Sequence, residues 1–96
     1  MKTGPLLVAW AVLMWAGVAW AQSGADVVKA KGCLNCHDND KKKVGPAYKE
    51  LSAKYRDDKG AEARLVTKLK EGKDHPKIAA SDAELKAAVG YALSQK

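Results

Sequence analysis

Two cysteines and a histidine stand together in the sequence at a spacing that supports a specific covalent chemistry. Cys33 and Cys36 are the only cysteines in the chain, and His37 follows the second of them directly. Two thiols three positions apart can add to the two vinyl groups of one porphyrin and form two thioether bonds. The adjacent imidazole then lies beneath the iron and can donate its Nε2 atom as an axial ligand. The segment Cys33-Leu34-Asn35-Cys36-His37 therefore predicts one covalently attached haem.

Three other uses of this cysteine pair agree less well with the rest of the sequence. A thiol–disulfide redox site of the Cys-x-x-Cys type accompanies a βαβ pattern, which this chain does not show. A zinc site needs a second pair of good ligands, and outside this segment the sequence offers only His75. A plain disulfide between Cys33 and Cys36 would give the adjacent His37 no role. We therefore expect haem attachment.

The first 21 residues have the pattern of a cleaved secretory signal peptide. A short basic start containing Lys2 precedes an apolar run from residue 6 to residue 20, and the small residue Ala21 follows. A retained membrane anchor is the alternative, but the run is shorter than the roughly 20 apolar residues that a bilayer requires. We therefore expect residues 1–21 to be cleaved off after Ala21. Residues 22–96 would then form one periplasmic domain.

The remaining sequence has helical periodicity and few strand signals, which predicts an all-α domain of three to five short helices. Helices are expected over about residues 25–32, 47–55 and 60–70. A fourth should run from Ser81 almost to the C-terminus, because Ser81 and Glu84 have the spacing of a capping box. Four short helices bury little apolar surface by themselves, so a large apolar cofactor at their centre would complete the core.

The chain is basic, with 17 Lys and Arg residues against 11 Asp and Glu residues. Lys41, Lys42 and Lys43 follow the haem segment, and with Lys31 and Lys49 they could surround an exposed haem edge. Such a positive surface attracts partners with an acidic docking surface, whereas the alternative is an ordinary solvated loop. Nucleic acid is not expected as a partner, because the lysines are scattered, no binding motif occurs and few aromatic residues are available.

The sequence from residue 22 onwards resembles the short bacterial class I cytochromes c, which are soluble electron carriers. The residues that carry the resemblance are Lys31-Gly32-Cys33, Val44-Gly45-Pro46-Ala47-Tyr48, Lys54-Tyr55, Ser81-Asp82-Ala83-Glu84-Leu85 and Tyr91. It implies a class I cytochrome c fold in which the first and last helices cross, with Val27, Val28, Val89 and Tyr91 placed to pack there. It also implies that the backbone carbonyl of Pro46 accepts a hydrogen bond from His37 Nδ1.

The sequence departs from this family at the second axial ligand of the iron. The family usually supplies a methionine, in a Met-Pro pair before the last helix, whereas this chain has no methionine beyond Met14. His75-Pro76 stands at the matching place, so the resemblance implies His75 as the distal ligand. The loop is shorter than in the family, which leaves open a vacant or water-bound site, or an amine ligand from Lys73 or Lys77.

These features predict a monohaem carrier of single electrons between periplasmic redox proteins, and not an enzyme. Ligation by two histidines would lower the haem potential relative to the Met/His pair. We expect a monomer or a small haem subunit of a dehydrogenase, without membrane contact after signal cleavage. The alternative function is a haem protein whose vacant or labile distal site binds a small ligand, and CO binding separates the two.

Overall fold

The computed structural model describes residues 23–96, and within this range the chain forms four α-helices, one short 3-10 helix and no strand. The elements are α1 (Gly24–Ala30), the 3-10 helix (Cys33–Asn35), α2 (Tyr48–Lys54), α3 (Ala61–Glu71) and α4 (Asp82–Leu93). The all-α prediction is confirmed, and the helix ends lie within about two residues of their expected positions. The predicted signal peptide, residues 1–21, lies outside the described residues.

Side-chain caps fix the beginnings of the first and last helices. The Ser23 hydroxyl accepts a hydrogen bond from the Asp26 backbone N–H at 3.2 Å and opens α1. At α4 the Ser81 hydroxyl accepts from the Glu84 N–H at 3.1 Å, while the Glu84 carboxylate accepts from the Ser81 N–H at 2.9 Å. The latter bond lowers the pKa of the Glu84 carboxyl. The predicted capping box is therefore confirmed.

The core lies where α4 meets the other helices, and α1 and α4 have the most extensive contact. Val27 and Val28 of α1 are buried in one cluster with Tyr48 of α2 and with Ala88 and Ala92 of α4. The expected packing of the first helix against the last is confirmed. None of the helices between residues 23 and 96 is long and apolar enough to cross a membrane.

Gly24 in α1 and Gly90 in α4 differ in the space that each leaves for a side chain. A methyl group on Gly24 would lie 2.5 Å from Tyr91 Cβ and closer still to the Ala87 carbonyl oxygen, whereas nothing lies within 4 Å of the same position on Gly90. We expect Gly24→Ala to lower the free energy of unfolding by about 1–3 kcal/mol through overpacking. Gly90→Ala should raise it by about 0.5–1 kcal/mol, because glycine inside a helix is destabilising. Thermal melts of the two variants check this, and equal changes would contradict the close crossing.

Candidate haem site

The cysteine segment begins at a sharp change of chain direction after α1. Gly32 adopts a left-handed conformation with φ of 73°, and the 3-10 helix starts at the next residue. The Asn35 N–H donates to the Gly32 carbonyl at 3.1 Å, and the His37 N–H donates to the Cys33 carbonyl at 3.0 Å. These bonds close two overlapping turns, so both cysteines and His37 are held in one compact segment.

Both cysteines are free thiols and half-buried. Burial raises the pKa of the Cys33 thiol, and the nearby Tyr48 hydroxyl opposes this only in part. The surroundings of the Cys33 sulfur thus favour its neutral form at neutral pH.

The His37 imidazole is held on three sides. Its Nδ1 lies 2.7 Å from the Pro46 carbonyl oxygen, and since a carbonyl only accepts, Nδ1 carries the proton and Nε2 is left to bind a metal. A methyl group on Gly45 would lie 2.5 Å from His37 Cε1, so the backbone passes directly against the ring. The Tyr48 ring stacks on the imidazole with centroids 5.2 Å apart and planes at 24°.

The structure places His75 opposite His37. The two ring centroids are 6.1 Å apart, and the ring planes are inclined by 13°. His75 Nδ1 donates to the Pro76 carbonyl at 2.7 Å, so its Nε2 is also left without that proton. A metal bound to two imidazole nitrogens at about 2 Å each puts the ring centres about 6 Å apart. The short loop therefore does not keep His75 away from His37, whereas Lys73 and Lys77 are exposed.

The packing around the site leaves apolar surface that a porphyrin can cover. Of the nine buried hydrophobic residues within the described range, four are alanines, so the protein core is small. Larger apolar side chains remain only half-buried, namely those of Leu51, Leu65, Val66, Leu69 and Ile78. A short domain of this kind gains much of its stability from a cofactor. The donor set and the apolar surface both fit a covalently held haem.

The lysine loop after His37 is ordered by its own hydrogen bonds. The Asp38 carboxylate accepts from the backbone N–H groups of Asp40 at 2.9 Å and Lys41 at 3.0 Å, and these bonds lower the pKa of Asp38. The Lys43 ammonium donates to the Leu34 carbonyl at 3.1 Å. The loop is thereby tied back to the cysteine segment, and its lysines lie beside the candidate haem site.

Two lysines that the sequence placed in the same positive ring each lie beside a carboxylate. Lys49 lies 3.5 Å from the Asp40 carboxylate, and Lys31 lies 3.9 Å from the Glu84 carboxylate. Both pairs reduce the charge that these lysines present to a partner. The positive surface is therefore concentrated on Lys41, Lys42 and Lys43.

The sequence did not reveal that Gly45 and Tyr48 contact the His37 ring. Gly45 was noticed only as part of a family motif, although the His37 ring requires a residue without a Cβ at that place. Tyr48 belongs to the same motif, and the sequence did not predict its stacking on His37. The only available signal was a Gly-Pro pair two residues before an aromatic residue, and this pattern also occurs in ordinary turns.

Comparison with known proteins shows the family to which the chain belongs. The family model described as "Cytochrome c" matches residues 21–95. Cytochrome c-551 of Pseudomonas aeruginosa is 41% identical over 85 residues, which cover 81% of this chain and 82% of that protein. Cytochrome c-552 of Nitrosomonas europaea is 37% identical over 85 residues, covering 80% and 82% respectively.

Solved structures of cytochromes are also similar to this chain. The crystal structure of wild-type Nitrosomonas europaea cytochrome c552 has a TM-score of 0.67 at 36% identity, and the match covers 75% of this chain and 99% of that one. The class 1 cytochrome MtoD of Sideroxydans lithotrophicus ES-1 has a TM-score of 0.65 at 30% identity, covering 75% and 91%. The chain therefore belongs to the cytochrome c family and carries one covalently attached haem c.

Proposed function

We propose that the protein is a periplasmic monohaem electron carrier whose iron is held between His37 and His75. The observation that carries this proposal is the pair of nearly parallel imidazole rings, 6.1 Å apart, each with its Nδ1 bonded to a proline carbonyl. Both Nε2 atoms are thereby available for one metal ion. The bound haem supplies a one-electron couple at the iron, and the chain holds and tunes it.

The residues of the site have different roles in holding and tuning the haem. Cys33 and Cys36 tether the porphyrin through thioethers, so that retention does not depend on packing alone. The Pro46 carbonyl orients His37 and increases its basicity as a ligand. His75 replaces the more usual methionine by a stronger donor to ferric iron, which lowers the potential within the roughly 0.8 V range that axial ligands control. Two protein ligands leave no coordination position for substrate, which favours electron transfer over catalysis.

Export of the protein is supported by the pattern of the N-terminal sequence. A short basic start containing Lys2 precedes an apolar run from residue 6 to residue 20. This run has the length and flanks of a signal peptide. We infer that residues 22–96 are the mature protein, working in the periplasm as a monomer or as a small subunit of a dehydrogenase.

One preparation tests both proposals. The protein is isolated from the periplasm, and its intact mass should equal residues 22–96 plus one haem. Its ferric EPR spectrum should be that of low-spin iron with three resolved g values. Imidazole planes only 13° apart both interact with the same one of the two iron dπ orbitals, so the two orbitals differ in energy. A high-spin spectrum would contradict ligation by His75, and a strongly axial low-spin spectrum would contradict parallel rings.

We also propose that a partner with an acidic surface docks on the lysine patch, which consists of Lys41, Lys42, Lys43, Leu34 and Val44. Val44 is 84% exposed and Leu34 is 39% exposed, and these are the exposed large hydrophobic residues within the described range. Lys43 joins the two halves of the patch through its bond to the Leu34 carbonyl. Apolar contact with positive charge beside it suits a transient redox complex steered by charge.

Charge reversal at Lys42 tests the lysine patch with redox reagents of known charge. We expect Lys42→Glu to slow oxidation of the reduced holoprotein by anionic hexacyanoferrate(III) by roughly tenfold at low ionic strength, because the local field changes sign. The difference should shrink as salt screens the field. Oxidation by cationic hexaammineruthenium(III) should become faster. The control is Lys59→Glu, which makes the same charge change in the α2–α3 turn, and an equal effect there would refute a localised docking surface.

A further inference from the structure

The loop that carries His75 is short and closed at its base. The Gly72 N–H donates to the Lys68 carbonyl at 2.9 Å and ends α3. The Ile78 N–H then donates to the Leu69 carbonyl at 2.9 Å, so the chain returns to the helix end that it left. His75 lies near the middle of this closed loop, and its position depends on the backbone angles of very few residues.

Three of these residues have restricted backbones. Gly72 has a φ of 75°, and a methyl group on it would lie 2.9 Å from Lys77 Cβ, so the loop folds tightly back on itself. Asp74 has a φ of 56° and is the one non-glycine residue between residues 23 and 96 with a positive φ. His75 precedes Pro76, whose ring disfavours the helical conformation in the residue before it.

Asp74 is therefore the position at which the loop could most easily take another path. L-residues other than glycine disfavour the left-handed conformation, and Asp and Asn tolerate it better than most. With an ordinary negative φ at residue 74, the chain would leave in another direction, and the His75 ring would not lie 6.1 Å from His37. The exposed Asp74 carboxylate takes part in none of the ion pairs within the described residues.

We propose that Asp74 is a positioning residue for the distal imidazole, and that it acts through its left-handed backbone and not through its carboxylate. This inference rests on the proposed ligation of iron by His75. Asp74 touches neither iron nor electron partner; it sets the direction from which His75 approaches. Residues that adopt the left-handed conformation should therefore preserve the distal ligand, and residues that avoid it should weaken that ligand.

CO binding to the reduced holoprotein measures the fraction of molecules in which His75 is not bound to the iron, because CO binds only to those molecules. We expect Asp74→Val to raise the apparent CO affinity about tenfold, since a β-branched residue is the least tolerant of a positive φ. Asp74→Ala should give a smaller rise. Asp74→Asn and Asp74→Gly should keep the wild-type affinity, although both remove the charge.

Two further variants separate the possible failures. Asp57→Val, at an exposed turn residue without positive φ, should leave the CO affinity unchanged. Equal rises in Asp74→Asn and Asp74→Val would show that the carboxylate is responsible and would overturn the inference, as would wild-type affinity in both Asp74→Val and Asp74→Ala. Should Asp74→Val fail to fold, Asp74→Ala decides the question. If His75→Ala itself leaves the CO affinity unchanged, the proposed ligation fails instead.

Discussion

Replacing His75 by alanine is expected to change the reduced protein from one that binds CO poorly to one that binds it readily. With the distal imidazole gone, the iron keeps His37 and gains an open position, so the ferric protein should show a high-spin signal. The apparent CO affinity should rise on the order of 100-fold, as expected when the binding-competent state rises from about 1% to full population. CO titration and ferric EPR measure the two effects independently.

Matched variants in the same loop identify the ligand. Lys73→Ala and Lys77→Ala remove the two amines that could reach the iron instead, and both should behave as wild type. His75→Met restores a second ligand of the kind usual in the family and should raise the potential by a sizeable part of the roughly 0.8 V axial-ligand range. Wild-type spin state in His75→Ala, or a spin change in either lysine variant, would contradict the bis-histidine site.

Loss of both thioethers should be the most damaging change to the fold. We expect Cys33→Ala/Cys36→Ala to yield protein without covalent haem and without a cooperative thermal transition. The reason is that few large side chains are buried by the polypeptide alone, while Leu51, Leu65 and Leu69 stay half-buried. Absorbance after acid–acetone extraction reports the covalent bond, and circular dichroism on heating reports the fold.

The single variants separate attachment from folding. Cys33→Ala and Cys36→Ala should each keep one thioether and a folded but less stable holoprotein, since one bond still holds the haem against His37. Cys33→Ala should be the more destabilising, because Cys33 also packs against the buried cluster of α1 and α4. A double variant that melts cooperatively without haem would show that the polypeptide core suffices, contrary to the small core seen here.

The extent to which the sequence predicts this fold depends on the range of the interactions involved. The capping box at Ser81 and Glu84 is local, so its spacing alone predicted where α4 begins. The haem segment is equally local. Gly24 could not be foreseen, because what it must avoid is Tyr91 and Ala87 on a helix far away in the chain. Long-range contacts of this kind depend on the crossing of two helices and leave no local pattern.

The position of the proposed distal ligand, His75, was likewise only partly predictable from the sequence. His75 was singled out because it stands where the family has a methionine, but the short loop left its reach undecided. We propose that the reach is set by the left-handed backbone at Gly72 and Asp74, together with the bond from the Ile78 N–H to the Leu69 carbonyl. Glycine at position 72 is a familiar helix-end signal. Aspartate at position 74 gives no such signal, because it occurs in both ordinary and left-handed conformations.

The two hydrogen bonds from histidine Nδ1 to proline carbonyls bear on how fast the protein exchanges electrons. In the proposed bis-histidine site, each bond would restrain its imidazole from turning about the metal–nitrogen axis, and Pro46 and Pro76 have backbones stiffened by their rings. Ligands that keep their orientation in both oxidation states need little rearrangement when the iron gains or loses an electron. A haem held in this way would have a low inner-sphere reorganisation energy, so we expect its electron self-exchange to be rapid.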